Sequence, residues 1–237
     1  MISFKTVSAK SYGYGIKRCE RGVIPSPGEE VLEIFKRHKV TYIGNTNEKS
    51  IYLTFDAGYE TGTMSDILDI LLEKDVTATF FLTGHYIKTE PDLVRRMVNE
   101  GHIVGNHSYN HLDFTKSSKE KITNDIKRLE DIYNEVTGEK MIKLVRPPEG
   151  TFSEESLSIT DELGYHTLFW SIAYIDWDKN KRYGWEYAYQ NVCGRIHNGA
   201  IILMHSVSKD NLEALPKIID DLRSDGYKFS SITSLIS

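Results

Sequence analysis

The sequence predicts an α/β fold, a single distorted or incomplete (β/α) barrel with an irregular N-terminal extension. Three observations predict it. From Ser50 onward, short apolar runs rich in β-branched and aromatic residues alternate with amphipathic helical patterns about seven times. Strand–helix alternation implies a parallel sheet, and this many units can close into a barrel. Several of the apolar runs also end on an ionisable residue, which is where such barrels gather their chemistry. A doubly wound open sheet is the alternative.

The elements follow in order. Residues 1–49 hold Gly13, Gly15, Gly22, Pro25, Pro27 and Gly28, with one short helical pattern over Val31–Lys39; they read as an extension packing on the barrel, and 50–237 as the catalytic domain. IYLTF (51–55) reads as a buried strand, and Met64–Lys74 as a helix with Ile67, Leu68, Leu71 and Leu72 on one face. TATFFLTG (77–84) is a strand, and PDLVRRMVNEG (91–101) a helix punctuated by Pro and Gly. HIVGNH (102–107) is a strand; Lys119–Val136 is a long amphipathic helix stopped by Gly138. KLVRP (143–147) is a strand, Ser153 caps a helix running to Leu163, and HTLFWS (166–171) is a strand. A helix over Trp185–Ile196, the strand AIILMH (200–205), a helix over Leu212–Asp225 and a last strand KFSSI (228–232) complete the series.

The chain of 237 residues is 40% hydrophobic, enough for one substantial core, and its net charge of −5 argues against nucleic acid, which prefers a basic face. Cys19 and Cys193, far apart and in no metal-type spacing, read as free thiols. No stretch approaches the roughly 20 apolar residues of a membrane span. MISFKTVSAK lacks the apolar region of a signal peptide, so either the protein is cytosolic or an export segment lies outside this chain.

Five ionisable residues fall at or just past strand C-termini: Asp56, His107, Arg146, Asp176 (followed by Trp177) and His205. One alone would read as a strand-terminal capping residue; five together read as a site. HSYNH places His107 and His111 four apart, and on a helical turn this puts both imidazoles on one face as a two-point metal grip. A third ligand is expected at Asp56 or its neighbour. His205 reads as a general acid kept protonated by Asp176, and Asp56 beside Arg146 as a carboxylate base. The turns DAG (56–58) and PPEG (147–150) can aim backbone N–H groups at an oxyanion. His38, His102, His166 and His197 read as structural, while His85 and Tyr59 are placed among the substrate-binding residues.

On these residues the sequence resembles the polysaccharide deacetylase family of the NodB-homology type. TFDAG (54–58) is similar to T-F-D-D-G, HSYNH (107–111) to H-[ST]-x-x-H, RPPEG (146–150) to R-x-P-[FY]-G, WSIAYIDW (170–177) to a motif ending in D-W, and LMH (203–205) to L-x-H. SYGYG (11–15), IGNTNEKSIYLTFDAGYE (43–60), TGHYI, GHIVGNHSYNH, RPPEGTFS, FWSIAYIDW and HSVSKDN look like the branch of delta-lactam-biosynthetic de-N-acetylases, which act on N-acetylmuramic acid in peptidoglycan. The resemblance implies Asp56 as base, Arg146 as its holder, His107 and His111 as ligands of a divalent metal such as zinc, and His205 as the acid tuned by Asp176. It implies an oxyanion contribution from the backbone at Glu149, and Trp177 and Leu203 as walls of the acetyl pocket.

Three departures stand out. Ala57 replaces the second Asp of the first motif, a family metal ligand, which weakens the expected metal site. Glu149 replaces an aromatic, and Ala173 an Asp. The expectation is a monomeric hydrolase that removes acetyl groups from muramic acid in peptidoglycan glycan strands, outside a Gram-positive spore former. The alternatives are a deacetylase of N-acetylglucosamine polymers or acetylated xylan, and a silent glycan-binding module.

Overall fold

The computed structural model describes residues 10–236; MISFKTVSA, read above as lacking a signal-peptide core, lies outside the described residues. In chain order the elements are β1 (Ser11–Gly13), α1 (Glu29–Phe35), β2 (Val40–Thr41), β3 (Ser50–Ala57), α2 (Met64–Glu73), β4 (Thr79–Leu82), α3 (Gly84–Thr89), α4 (Pro91–Asn99), β5 (Ile103–Asn106), α5 (Lys119–Thr137), β6 (Leu144–Val145), β7 (Thr151–Ser153), α6 (Glu154–Glu162), β8 (His166–Leu168), α7 (Trp185–Cys193), β9 (Ile201–His205), α8 (Lys209–Ser224) and β10 (Lys228–Phe229).

Seven strands, in the order β9-β3-β4-β5-β6-β8-β2, pair in parallel and curl into an incomplete barrel; β10 pairs with the first residues of β3. Between β8 and β9 the wall is held by a single bridge, Ile172 to Ile202, with the Ser171 N–H donating to the Ile201 carbonyl at 2.9 Å. The expected incomplete barrel is therefore the observed one. Outside it, β1 and β7 form an antiparallel pair. There Tyr14, Ile34 and Phe35 pack with Phe152, Leu157 and Phe169, so residues 10–49 lean on the β7–β8 side.

Alternation along the strands makes two cores. Ile51, Leu53 and Phe55 of β3, Phe80 and Leu82 of β4, and Ile202 and Met204 of β9 face outward onto Ile67, Leu68, Leu71, Ile218 and Leu222 of α2 and α8. Tyr52, Phe81, Leu144, Leu168 and Ile201 face the bore, closed below by Ile232. Positions 54 and 56 continue the inward series, so polar side chains occupy the upper half of the bore.

Several expectations are corrected. HSYNH is a loop, not a helical turn: Ser108 and His111 have φ of 65° and 53°. The strands at 143–147 and 166–171 shrink to two and three residues. Prolines end the first, and the second leaves its neighbours to reach β9. The last strand stops at Phe229, and 232–235 form a 3-10 turn. Residues 84–89, read partly as strand, are α3, capped by Thr83, which accepts from the Tyr86 N–H. α1 starts and ends earlier than Val31–Lys39. α7 ends at Cys193, and α8 starts at Lys209, where Ser208 accepts from the Asn211 N–H. Cys19 and Cys193 are free thiols, as read. No helix among the described residues is long and apolar enough to cross a membrane.

Candidate active site

Parallel register sets Asp56 directly opposite His205, with Phe81 as its other neighbour. The end of β5 brings His107 and the end of β6 brings Arg146 to the same mouth, and Asp176 reaches it from the loop after β8. All five strand-terminal ionisable residues expected from the sequence therefore meet.

Arg146 is wholly buried. One guanidinium nitrogen donates to Asp56 Oδ1 at 2.7 Å and another to Thr54 Oγ1 at 2.9 Å; the fork also donates to the carbonyls of Leu168 at 3.1 Å and Phe169 at 3.3 Å. Its Cζ lies 4.1 Å from the centre of the Phe81 ring and 5.7 Å from that of Trp170. Such a fork, anchored to two strands, fixes the carboxylate's orientation as well as its charge. Burial pushes the Asp56 carboxyl up, but the Arg146 guanidinium, with His107 and His205, outweighs it and holds Asp56 below the usual carboxylate range.

His205 has the opposite environment. Its Nδ1 donates to Asp176 Oδ1 at 2.7 Å, and its backbone N–H donates to Asp176 Oδ2 at 2.8 Å. Asn211 Nδ2 donates to the same Asp176 oxygen at 2.7 Å and to the His205 carbonyl at 3.0 Å, while Tyr174 Oη donates to Asn211 Oδ1 at 2.7 Å. Burial disfavours the imidazolium, and the Asp176 carboxylate more than offsets it, so His205 is raised above the usual histidine range. A deprotonated acceptor and a protonated donor thus stand side by side on adjacent strands.

His107 Nδ1 donates to the Arg146 carbonyl at 2.9 Å, leaving Nε2 as the unprotonated face, 3.6 Å from Asp56 Oδ2. Burial lowers His107 to about 4. The ring of His111, exposed, lies 5.1 Å from that of His107. The two imidazoles, with the free Nε2 of His107, suit a divalent metal, but the set stops there. Ala57 is buried in the outer apolar cluster, and among the described residues no group of three His, Cys, Asp or Glu side chains is placed to hold an ion. Metal sites of this kind use three protein ligands, and the residues present do not supply them.

The remaining expected residues follow the ends of barrel strands, except Leu203, which lies within β9. Trp177, 55% exposed, meets His205 edge-on at 6.0 Å. Leu203 is buried one inward position below His205, and Tyr59 is exposed three residues beyond Asp56. His85 sits exposed on the first turn of α3. Glu149 is exposed with φ 58°, a left-handed conformation disfavoured for a residue with a side chain. Next to it, Gly150 has φ 66° and a Cβ there would come within 2.6 Å of Trp170, so only glycine completes this turn.

Sequence reasoning missed three positioning residues. Thr54 accepts from Arg146 and donates to the Ile202 carbonyl at 2.7 Å. Asn211 clamps Asp176. Asp125 of α5 accepts from Ser108 Oγ at 2.6 Å, from the N–H groups of Tyr109 at 2.6 Å and Asn110 at 3.2 Å, and from Asn110 Nδ2 at 2.6 Å, holding the HSYNH loop. A signal existed: Asp125 lies on the stripe of Ile122, Ile126 and Leu129, and Asn211 on that of Ala214, Leu215 and Ile218. A polar residue on the buried stripe of an amphipathic helix has to find a partner.

A carboxylate–arginine pair beside a carboxylate–imidazole pair, at the mouth of a parallel incomplete barrel, is an acid–base arrangement suited to hydrolysis. Residues 43–168 match the family described as polysaccharide deacetylase, and the chain belongs to that family, whose members hydrolyse the amide bonds of N-acetyl sugars. It is 42% identical over 232 residues to the peptidoglycan-N-acetylmuramic acid deacetylase PdaA of Bacillus subtilis, covering 98% of this chain and 88% of PdaA. The solved structure of PdaA, a family 4 carbohydrate esterase, superposes with a TM-score of 0.93 at 43% identity, covering 96% of this chain and 97% of that one. A family 4 carbohydrate esterase of Bacillus anthracis gives 0.81 at 45% identity, covering 96% of each chain. A peptidoglycan-N-acetylglucosamine deacetylase of Bacillus cereus is 33% identical over 204 residues, covering 84% of this chain and 73% of its own. Deacetylases of this family are generally metal-dependent.

Proposed function

We propose that this protein hydrolyses the acetamide of N-acetylmuramic acid residues in peptidoglycan glycan strands. The observation that carries the reading is the Asp56–Arg146 pair set beside the Asp176–His205 pair at one barrel mouth; the likeness to PdaA over nearly the whole chain supports the choice of sugar. Asp56 takes a proton from a water that attacks the acetamide carbon. In the 147–150 turn the two prolines have no N–H and the Gly150 N–H is spent on the Pro147 carbonyl, so the Glu149 N–H is the donor for the developing oxyanion. His205 then gives its proton to the departing nitrogen, the C–N bond breaks, and acetate and a free amino sugar leave. Trp177 and Leu203 wall the acetyl methyl, and Tyr59 and His85 border the glycan. The freed amine can close on the neighbouring lactyl carboxyl, which makes the reaction a step toward the muramic delta-lactam of spore cortex.

No step is assigned to a metal: with methyl at position 57, His107 and His111 would give a weakly held ion at most. A peptidoglycan substrate supports a site of action outside the cytoplasmic membrane at the cell wall; the proposed setting is a Gram-positive spore former, and the proposed acting form is a monomer. The test is acetate release from peptide-free strands of alternating N-acetylglucosamine and N-acetylmuramic acid. Asp56→Asn and His205→Ala are each expected to lower kcat by about 10²–10⁴; unchanged rates would sink the assignment. Faster release from chitin oligomers than from the muramic strands would move the substrate to N-acetylglucosamine.

A further inference from the structure

The segment from Asp176 to α7 carries three cations, two of them paired with carboxylates and one not. Lys181 pairs with Asp178 at 3.4 Å, and Arg182 pairs with Asp210 at 2.5 Å and Glu213 at 2.9 Å. Lys179 has no carboxylate within ion-pair distance among the described residues. Its Nζ instead stands 5.3 Å from the centre of the Tyr59 ring. Both neighbours of this contact belong to the mouth: Tyr59 follows Asp56 by three residues, and Trp177, two residues before Lys179, abuts His205. An aromatic face holds an ammonium in place without neutralising it, so its N–H groups stay available to an anion. In a chain of net charge −5, an unneutralised cation held on Tyr59 beside the mouth is a feature a negatively charged substrate group would meet.

Muramic acid has such a group. Its lactyl ether is carried on the ring carbon adjacent to the one bearing the acetamide, so a residue with its acetamide at Asp56 presents the lactyl carboxylate at the rim. N-acetylglucosamine has a hydroxyl there. We propose that Lys179, steadied by Tyr59, binds the lactyl carboxylate and is a specificity-determining residue for muramic acid; the proposal rests on the deacetylase reading above. The contact is a charge-assisted hydrogen bond and carries no chemistry of its own.

The test compares two peptide-free glycan strands, one with free lactyl carboxylates and one with each converted to its methylamide. The wild-type protein is expected to favour the free carboxylate by about tenfold in kcat/KM, mostly through KM. Lys179→Met, which keeps the length of the chain, is expected to abolish that preference, and Lys179→Arg to retain most of it. A preference of equal size in wild type and Lys179→Met overturns the proposal, as does a wild-type protein that releases acetate from both strands without preference. A wild-type protein that releases acetate from neither strand overturns the deacetylase reading, and the proposal with it.

Discussion

Asp56 and His205 occupy adjacent strands yet are held in opposite charge states by opposite neighbours, a guanidinium for one and a carboxylate for the other. Working form and pH then follow directly. Asp56 is ionised above a value lower than the ordinary carboxylate, and His205 stays protonated up to a value higher than the ordinary imidazole, so activity spans the window between them. Asp176→Asn removes the anion and leaves burial unopposed at His205. The alkaline limb of kcat is expected to move toward acid by about one pH unit or more, read from the pH–rate profile; an unmoved limb would separate that limb from His205. Ala57→Asp is expected to raise zinc affinity by at least about tenfold, measured as bound metal before and after chelation. Unchanged affinity would mean that a carboxylate at position 57 stays in the outer apolar cluster where Ala57 lies. The five charged residues could be read in the sequence because each follows a short apolar run. Thr54 could not, since a threonine inside a strand is ordinary until a buried guanidinium is found leaning on it.

Elements position the site in ways that periodicity only partly reveals. The long amphipathic helix α5 was legible from its repeat and its terminal Gly138, which closes it in the left-handed conformation. That it also anchors a catalytic loop was not, because the function of Asp125 depends on which loop comes to lie over it. Likewise the four-residue spacing of His107 and His111 suggests a helix, whereas the pairing comes from a loop with two left-handed residues, Ser108 and His111, the first of them bonded to Asp125. Asp125→Ala frees three N–H donors and a hydroxyl of that loop. It is expected to lower kcat/KM about tenfold by shifting the His107 ring from its place 3.6 Å from the Asp56 carboxylate, with a smaller loss of thermal stability; steady-state acetate release measures it, and wild-type activity would show that the loop is held otherwise. Short strands such as β6 and β8 were overextended in the sequence reading because apolar side chains continue past the last ladder bond, as Phe169 and Trp170 do.

At the scale of the molecule, the fold class was legible because alternation of strand and helix is a global signal that survives errors at element ends. The contribution of residues 10–49 was not, since β1, α1 and β2 are too short to leave a period. The whole chain also has an expected response to acid. Burial lowers His102, His107, His166 and His197, the second to about 4. The unfolded chain protonates these groups near pH 6.5 and the folded chain only at lower pH, so the unfolded state binds more protons in that interval and stability drops as the pH drops. His205 acts with the opposite sign, since its contribution is complete below about pH 6.5 and is lost as pH rises through its folded value. Four groups against one give a Tm expected to be lower at pH 4.5 than at pH 7 by at least about 5 °C, followed by circular dichroism; a flat profile would mean that these imidazoles are not buried in neutral form.

The alternation in β3 has a consequence for how descendants of this chain can differ. Ile51, Leu53 and Phe55 answer only to the helices, while Tyr52, Thr54 and Asp56 answer only to the bore. Volume-conserving exchanges at the odd positions therefore leave the mouth untouched, and the two sets can drift on separate clocks. One inserted residue is a different matter. It would turn the phenyl ring of Phe55 into the bore and the carboxylate of Asp56 into the helix layer. The lineage should tolerate many spelling changes in this strand and no change in its length.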